Sequence, residues 1–311
     1  MAPLHPQAQA LLDQMAAMGA PPLYEQPLEQ ARGLTAALRE MVGEGPLMEE
    51  TRRLTIPVPG AELTAYLHRP VADPAGIVVY FHGGGWVVGN SEDIEASLQL
   101  LAAASGCDVI GVDYRLAPEE VFPVALEDAY EAARWIAANL AEGRPLVVAG
   151  DSAGGTLSTL IAMRARDRGD LDIAAQVLFY PVTDGRMETE SYGIYGDAGL
   201  LLGRGEMEWF WGLYAPDPET RLSPEASPLL AESHGGLPPA LVVVAEYDPL
   251  RDEVRAYAEA LRAAGVVVQV VEFDDVFHGF ATMPNLLERG NEALELAGEF
   301  VRDAVSAPSV A

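Results

Sequence analysis

The chain has 311 residues, half of them hydrophobic and about a fifth charged, enough to bury a sizeable core without metals or disulfides. Its formal charge of −28, with 19 Arg and no Lys, opposes nucleic acid, anionic membranes and polyanionic substrates, and suits a neutral or weakly charged ligand. Cys107 is the sole cysteine, which rules out an intrachain disulfide and a Cys-rich metal site.

The first twenty residues hold no Lys or Arg and no continuous apolar run, and no stretch reaches the roughly 18 apolar residues of a membrane span. A chain that stays in the cytoplasm, without membrane insertion, is therefore expected. Residues 1–50 show helical periodicity, with Leu11, Leu12 and Met15, then Leu28, Leu34 and Leu38, broken by Pro21 and Pro22. Two alternating segments, 54–58 and 62–68, have the pattern of edge strands. Six short apolar runs follow, at 77–81, 108–113, 146–150, 176–180, 241–245 and 267–272. Their Val/Ile-rich continuity suits a parallel sheet covered on both faces.

Between these runs apolar residues recur at helical spacing. Leu98, Leu101 and Ala102 share one face, as do Val124, Ala125, Ala129 and Ala132; Val254, Tyr257, Ala258 and Leu261 share another, ending at a Gly265 C-cap. This alternation predicts a doubly wound α/β fold of eight strands. Residues 185–225 separate two strands by more than an ordinary connection and carry Tyr192, Tyr195, Trp209, Phe210, Trp211 and Tyr214. Long excursions of this kind commonly serve as lids or binding loops. The expected division is an N-terminal cap segment at 1–50, a catalytic core of 51–184 and 226–311, and a cap insertion at 185–225, with the two cap pieces packed together. Each aromatic of the insertion, taken singly, is better explained by a local helical core.

Chemistry first shows after the run at 77–81, in His82-Gly-Gly-Gly-Trp86. Consecutive glycines let backbone N–H groups approach a substrate, as a tetrahedral oxyanion requires. A phosphate-binding reading fails, because Val88 stands where the third glycine of G-x-G-x-x-G belongs and no G-K-[ST] follows. His82 is expected to brace this loop by hydrogen bonding. Further on, Gly150-Asp-Ser152-Ala-Gly154 places G-x-S-x-G between a strand and a helix, the context in which that motif projects a nucleophilic serine. The helix N-terminus there favours developing negative charge.

A serine hydroxyl needs a base. Of the five histidines, His5, His68, His82, His234 and His278, only the last two follow Ser152, as the order serine, acid, histidine demands. His278 lies beyond the last strand, whereas His234 has no acid in the right place before it. The acid at the end of the preceding strand is Asp248, with Glu246 and Asp252 in competition. Asp252 opens a helix, where the dipole alone explains an acidic residue. Glu246, two residues away, is chemically equivalent, and position favours Asp248. Asp113 and Arg115 read as a structural ion pair.

Together, His82-Gly-Gly-Gly-Trp86, Asp113-Tyr-Arg-Leu-Ala-Pro-Glu119, Gly150-Asp-Ser-Ala-Gly-Gly155, Asp248-Pro-Leu-Arg-Asp-Glu253 and His278-Gly-Phe280 resemble the bacterial hormone-sensitive-lipase family of esterases, from about residue 54 to the C-terminus. The resemblance implies an α/β-hydrolase fold with a helical cap, a triad of Ser152, Asp248 and His278, and an oxyanion hole from the N–H groups of Gly84, Gly85 and Ala153, with Gly83 shaping the turn. It also implies hydrolysis of short- to medium-chain esters through an acyl-enzyme, with no cofactor and no metal. One departure is Glu120-Val-Phe, where the family usually carries a histidine; it touches a packing loop. Trp86, Trp209, Phe210 and Trp211 are candidate substrate-binding residues. The partners are a small ester and, for a homodimer, a second copy of the chain. An amidase or arylformamidase on the same triad is the nearest rival. A ligand receptor like the plant gibberellin receptors, which lack the histidine, is disfavoured by His278.

Overall fold

The computed structural model describes residues 2–19 and 21–307. Its strands are β1 (Glu50–Val58), β2 (Ala61–Arg69), β3 (Ile77–Phe81), β4 (Asp108–Asp113), β5 (Leu146–Asp151), β6 (Ala175–Phe179), β7 (Ala240–Tyr247) and β8 (Val268–Phe277). They form one sheet in the order β1-β2-β4-β3-β5-β6-β7-β8. β1 pairs antiparallel with β2, and β2 with β4; every other pairing is parallel. The helices are α1 (Pro6–Met18), α2 (Leu28–Val42), α3 (Glu95–Ser105), α4 (Val124–Asn139), α5 (Ala153–Arg168), α6 (Glu190–Tyr195), α7 (Arg204–Tyr214), α8 (Pro218–Arg221), α9 (Arg251–Ala263) and α10 (Glu288–Ser306).

The two-residue period of a strand sorts the core into two layers. Ile77, Val79 and Phe81 face α4, α5 and α9, while Val78 and Tyr80 face α3 and α10. Both sides of β3 are thus buried, which is why its sequence is an unbroken apolar run. β8 ends five residues later than its apolar run does. It pairs with β7 alone, at the edge of the sheet, so Gln269, Glu272 and Asp274 stay exposed and do not interrupt it.

Asp113 and Arg115 do not pair with each other. Asp113 accepts the N–H of Ser91 at 2.7 Å. Arg115 turns instead to Asp128, one turn into α4, at 2.6 and 2.9 Å, because that buried carboxylate offers both oxygens to its fork. The two residues are therefore tied to different segments, Asp113 to the chain after β3 and Arg115 to α4.

The long connection between β6 and β7 carries α6, α7 and α8. Its root is tied to the core by polar contacts. Thr156 donates to the carbonyl of Val182 at 2.6 Å, Glu253 accepts the N–H groups of Thr183 and Asp184 at 2.7 and 3.2 Å, and Asp252 accepts that of Ser191 at 2.8 Å. Burial holds the Glu253 carboxyl well above its ordinary range. From the N-terminal arm, the ring of Tyr24 lies directly on Gly205 of α7, where a Cβ would come within 2.4 Å of it. α1 packs beside the end of β8 and the start of α10, where the His5 N–H donates to the Asp275 carbonyl at 2.7 Å and the His5 ring pairs with Glu288.

Candidate active site

Four of the residues singled out by sequence sit one step past a strand. His82 follows β3, Ser152 follows β5, Asp248 follows β7 and His278 follows β8. All four strands run parallel, so these residues gather at the carboxyl edge of the sheet, where ligand crevices of open α/β sheets form.

Ser152 is the single residue between β5 and α5, at φ 51° and ψ −120°. A non-glycine held there stores strain on the order of 1–3 kcal/mol, which the surroundings must impose. The turn closes only because its flanking residues lack side chains. A Cβ at Gly154 would lie 1.8 Å from the Phe81 carbonyl oxygen, and one at Gly150 would lie 2.4 Å from the Gly154 backbone. Ser152 Oγ is 2.9 Å from Nε2 of His278, and Nδ1 of that ring is 2.7 Å from Oδ2 of Asp248. The other Asp248 oxygen accepts the N–H of Leu250 at 2.8 Å, which fixes the carboxylate plane. Asp248 is fully buried, while Ser152 and His278 are each 7% exposed. The site is recessed.

The competing acids are engaged elsewhere. Glu246 bonds Arg251 at 2.6 Å, Arg255 at 3.0 Å and Tyr195 at 2.9 Å. Burial pushes its carboxyl up, yet the Tyr195 and Arg251 hydrogen bonds and the Arg251 and Arg255 charges outweigh that and leave it low. The ladder slips at this point, since Ala245 pairs with Phe273 but Tyr247 pairs with Phe277. That irregularity turns Glu246 toward the arginines and sets Asp248 beside His278. Asp252 accepts from Ser191 and Arg251. His234 donates to the carbonyl of Pro228 at 2.9 Å, against the edge of Tyr257, away from the triad.

In the glycine loop, the N–H of Gly83 donates to Asp151 at 3.0 Å, and Tyr80 donates to the same oxygen at 3.0 Å. Burial raises the Asp151 carboxyl. Gly84, Gly85 and Ala153 have no hydrogen bond on their N–H groups among the described residues. His82 donates from Nδ1 to Gly83 at 2.7 Å and stacks on Tyr114, whose hydroxyl returns to the His82 carbonyl at 2.8 Å. It braces the loop, as its sequence suggested.

Trp86 and Trp211 are completely buried, with ring centroids 4.7 Å apart, and Trp86 also stacks on Tyr214 at 4.3 Å. Neither indole has a surface that a substrate can touch, so both are corrected from binding candidates to the core that joins the glycine loop to α7. Phe210 is also buried, at 5% exposure, but faces the glycine loop directly. Its ring occupies the space over Gly85, where a Cβ would meet it at 2.1 Å, and half-buried Trp209 packs beside it at 5.2 Å. Leu201 reaches Gly279, next to His278. Sequence reasoning missed Leu201, Asp151 and Tyr180, whose ring lies 4.7 Å from the His278 imidazole. Asp151 was in plain view inside the serine motif; the other two carry no local signal.

A cavity of about 400 Å³ opens behind the loop, with His82, Asn90, Arg32 and Glu119 in its wall and Ser152 outside it. Among the described residues no group of three or more His, Cys, Asp or Glu is placed to hold a metal ion, and no helix is long and apolar enough to cross a membrane.

A mostly parallel sheet that delivers a serine, a carboxylate and a histidine from the carboxyl ends of three of its strands, in that chain order, defines a hydrolase of the α/β class. The family model described as alpha/beta hydrolase fold matches residues 78–282, more than half of the chain, which therefore belongs to that family, in the hormone-sensitive-lipase-like branch its motifs resemble. The carboxylic ester hydrolase LipN of Mycobacterium tuberculosis is 40% identical over 80% of this chain and 68% of its own length. The ethyl acetate hydrolase of Pseudomonas putida is 39% identical over 77% of this chain and 78% of its own. Among solved structures, a thermostable esterase from Pseudomonas putida ECU1011 superposes with a TM-score of 0.94 at 33% identity, covering 99% of both chains.

Proposed function

We infer that the chain is a carboxylic-ester hydrolase that cleaves short- to medium-chain acyl esters through an acyl-enzyme on Ser152. The observation that carries this reading is the unbroken hydrogen-bond line from Ser152 through His278 to Asp248, at 2.9 and 2.7 Å. His278 Nε2 takes the Ser152 proton as Oγ attacks the acyl carbonyl, and Asp248 holds the imidazole in the required tautomer and stabilises its charged form. The free N–H groups of Gly84, Gly85 and Ala153 receive the oxyanion. His278 then protonates the leaving alcohol. A water deprotonated by the same ring attacks the acyl-enzyme and releases the acid.

In this reading residues 1–50 and 185–225 form a cap over the site. Phe210, Trp209 and Leu201 are its lining, and they limit the length of acyl chain admitted. Turnover of p-nitrophenyl esters from acetate to palmitate, with the matching p-nitroanilides alongside, tests the proposal. The expected result is rapid cleavage of the short esters, decline toward palmitate, and little cleavage of anilides. Preferential anilide cleavage would move the assignment to an amidase.

A further inference from the structure

The glycine loop is strained, and its own hydrogen bonds are supplemented from outside it. Gly84, Gly85 and Trp86 lie in succession at φ 102°, 57° and 61°, and the third is a bulky residue for which that region is strained. Asp151 secures the loop at one end through Gly83. At the other end the support comes from far away in the chain. Arg32, on α2, donates from Nε to the carbonyl of Val87 at 2.9 Å and from Nη2 to that of Ala117 at 3.0 Å. Both acceptors belong to fully buried residues. Val87 and Val88 in turn give their N–H groups to the Gly84 carbonyl at 3.0 Å, and Ala117 gives its own to Trp86 at 2.9 Å.

The guanidinium is itself fixed. Glu119 grips it with both oxygens, at 2.8 and 2.7 Å, and these hydrogen bonds draw the Glu119 carboxyl down to about 2. The cavity behind the loop is walled by the same two side chains, so packing does not replace their bonds on that side. We propose that Arg32 is a positioning residue for the oxyanion loop, through which the N-terminal arm acts on the transition state. The proposal rests on the esterase reading of Ser152 and adds to it a requirement on a residue outside every motif.

The test compares Arg32→Met with Arg39→Met. Arg39 lies on the same helix but bonds Glu95 at the start of α3, at 2.9 Å, and so tethers the arm without touching the loop. Each variant is assayed with p-nitrophenyl butyrate and with an alkyl trifluoromethyl ketone, which adds Ser152 Oγ to its carbonyl carbon and places the resulting oxyanion in the hole. Arg32→Met should lose about tenfold in kcat with little change in KM, since small misplacements of catalytic donors carry costs of that size. The inhibition constant of the ketone should rise by a similar factor, while Arg39→Met stays near wild type. Wild-type kcat and ketone affinity in Arg32→Met, or equal losses in both variants, would overturn the proposal. If Arg32→Met does not fold, Arg32→Lys, which keeps the charge but not the fork, takes its place, and parity with wild type overturns the proposal in the same way. Ser152→Ala run alongside separates the two levels: activity in that variant defeats the esterase reading itself.

Discussion

Ser152, Asp248 and His278 each occupy the first position past a strand of the parallel sheet, whereas Gly84, Gly85 and Trp86 form a loop held by residues from α2, α7 and the Ser152 turn. The two regions share an edge of the sheet and differ in what fixes them. A strand end aims its next side chain by backbone hydrogen bonds that the whole sheet enforces. A glycine loop offers bare N–H groups and must be set from outside, by Asp151 below, Arg32 at one side and the aromatic stack of Trp86, Trp211 and Tyr214 above. The sheet places the proposed triad; the proposed oxyanion site and substrate walls are assembled from remote segments.

The largest way to break this contrast lies in the triad. Asp248→Asn keeps the shape of the strand end and should cost on the order of 10⁴ in kcat, by loss of the correct imidazole tautomer. Glu246→Gln and Asp252→Asn, which loosen ion pairs among Arg251 and Arg255, should cost far less. A greater loss in Glu246→Gln than in Asp248→Asn would show that the strand end does not aim the acid.

The remote walls separate into core and lining. Trp211→Ala should lose about 3–5 kcal/mol of stability, as large-to-small changes of buried aromatics do, with the relative chain-length profile unchanged below its melting point. Phe210→Ala should instead alter that profile, because each acyl methylene gains about 0.8 kcal/mol on burial. Chain-length series on both variants decide the matter; matching profiles would mean that α7 only supports the loop.

A smaller effect contrasts two histidines. His278 is bonded at both nitrogens, whereas His68, buried in β2, is bonded at neither, and burial lowers its pKa to about 4. Between the ordinary value of 6.5 and about 4, the unfolded chain binds a proton that the folded chain refuses. Stability is therefore lost as pH falls through this window, by up to about 3 kcal/mol, and changes no further below it. Denaturant unfolding at pH 7 and 4.5 should show a smaller acid loss in His68→Leu than in wild type. An equal loss would assign the acid sensitivity to other groups.

The same contrast explains what the sequence reveals. Ile77–Phe81 and Asp108–Asp113 are legible to the residue because both faces of those strands are buried. Gly150 and Gly154 are legible because the turn tolerates no Cβ. β8 is read short, since an edge strand alternates and its charged outer residues look like an ending. Arg115 is misassigned to Asp113 because a partner 13 residues on, one turn into a helix, leaves no mark beside it in the chain. Arg32 is one polar residue on a helical face, and nothing in its neighbourhood tells of the carbonyls it holds 55 and 85 residues on. Trp86 and Trp211 look like lining by composition and prove to be core by contact.

The central claim is that Ser152 is the nucleophile of an ester hydrolase, and covalent labelling tests it most directly. Wild-type protein treated with a fluorophosphonate should lose esterase activity in step with one adduct, located by peptide mass on the segment carrying Gly150-Asp-Ser152-Ala-Gly154. Ser152→Ala should take up no label and retain only a trace of turnover, several orders of magnitude below wild type. An adduct on another residue, or a tenth of the wild-type rate in Ser152→Ala, would contradict the account.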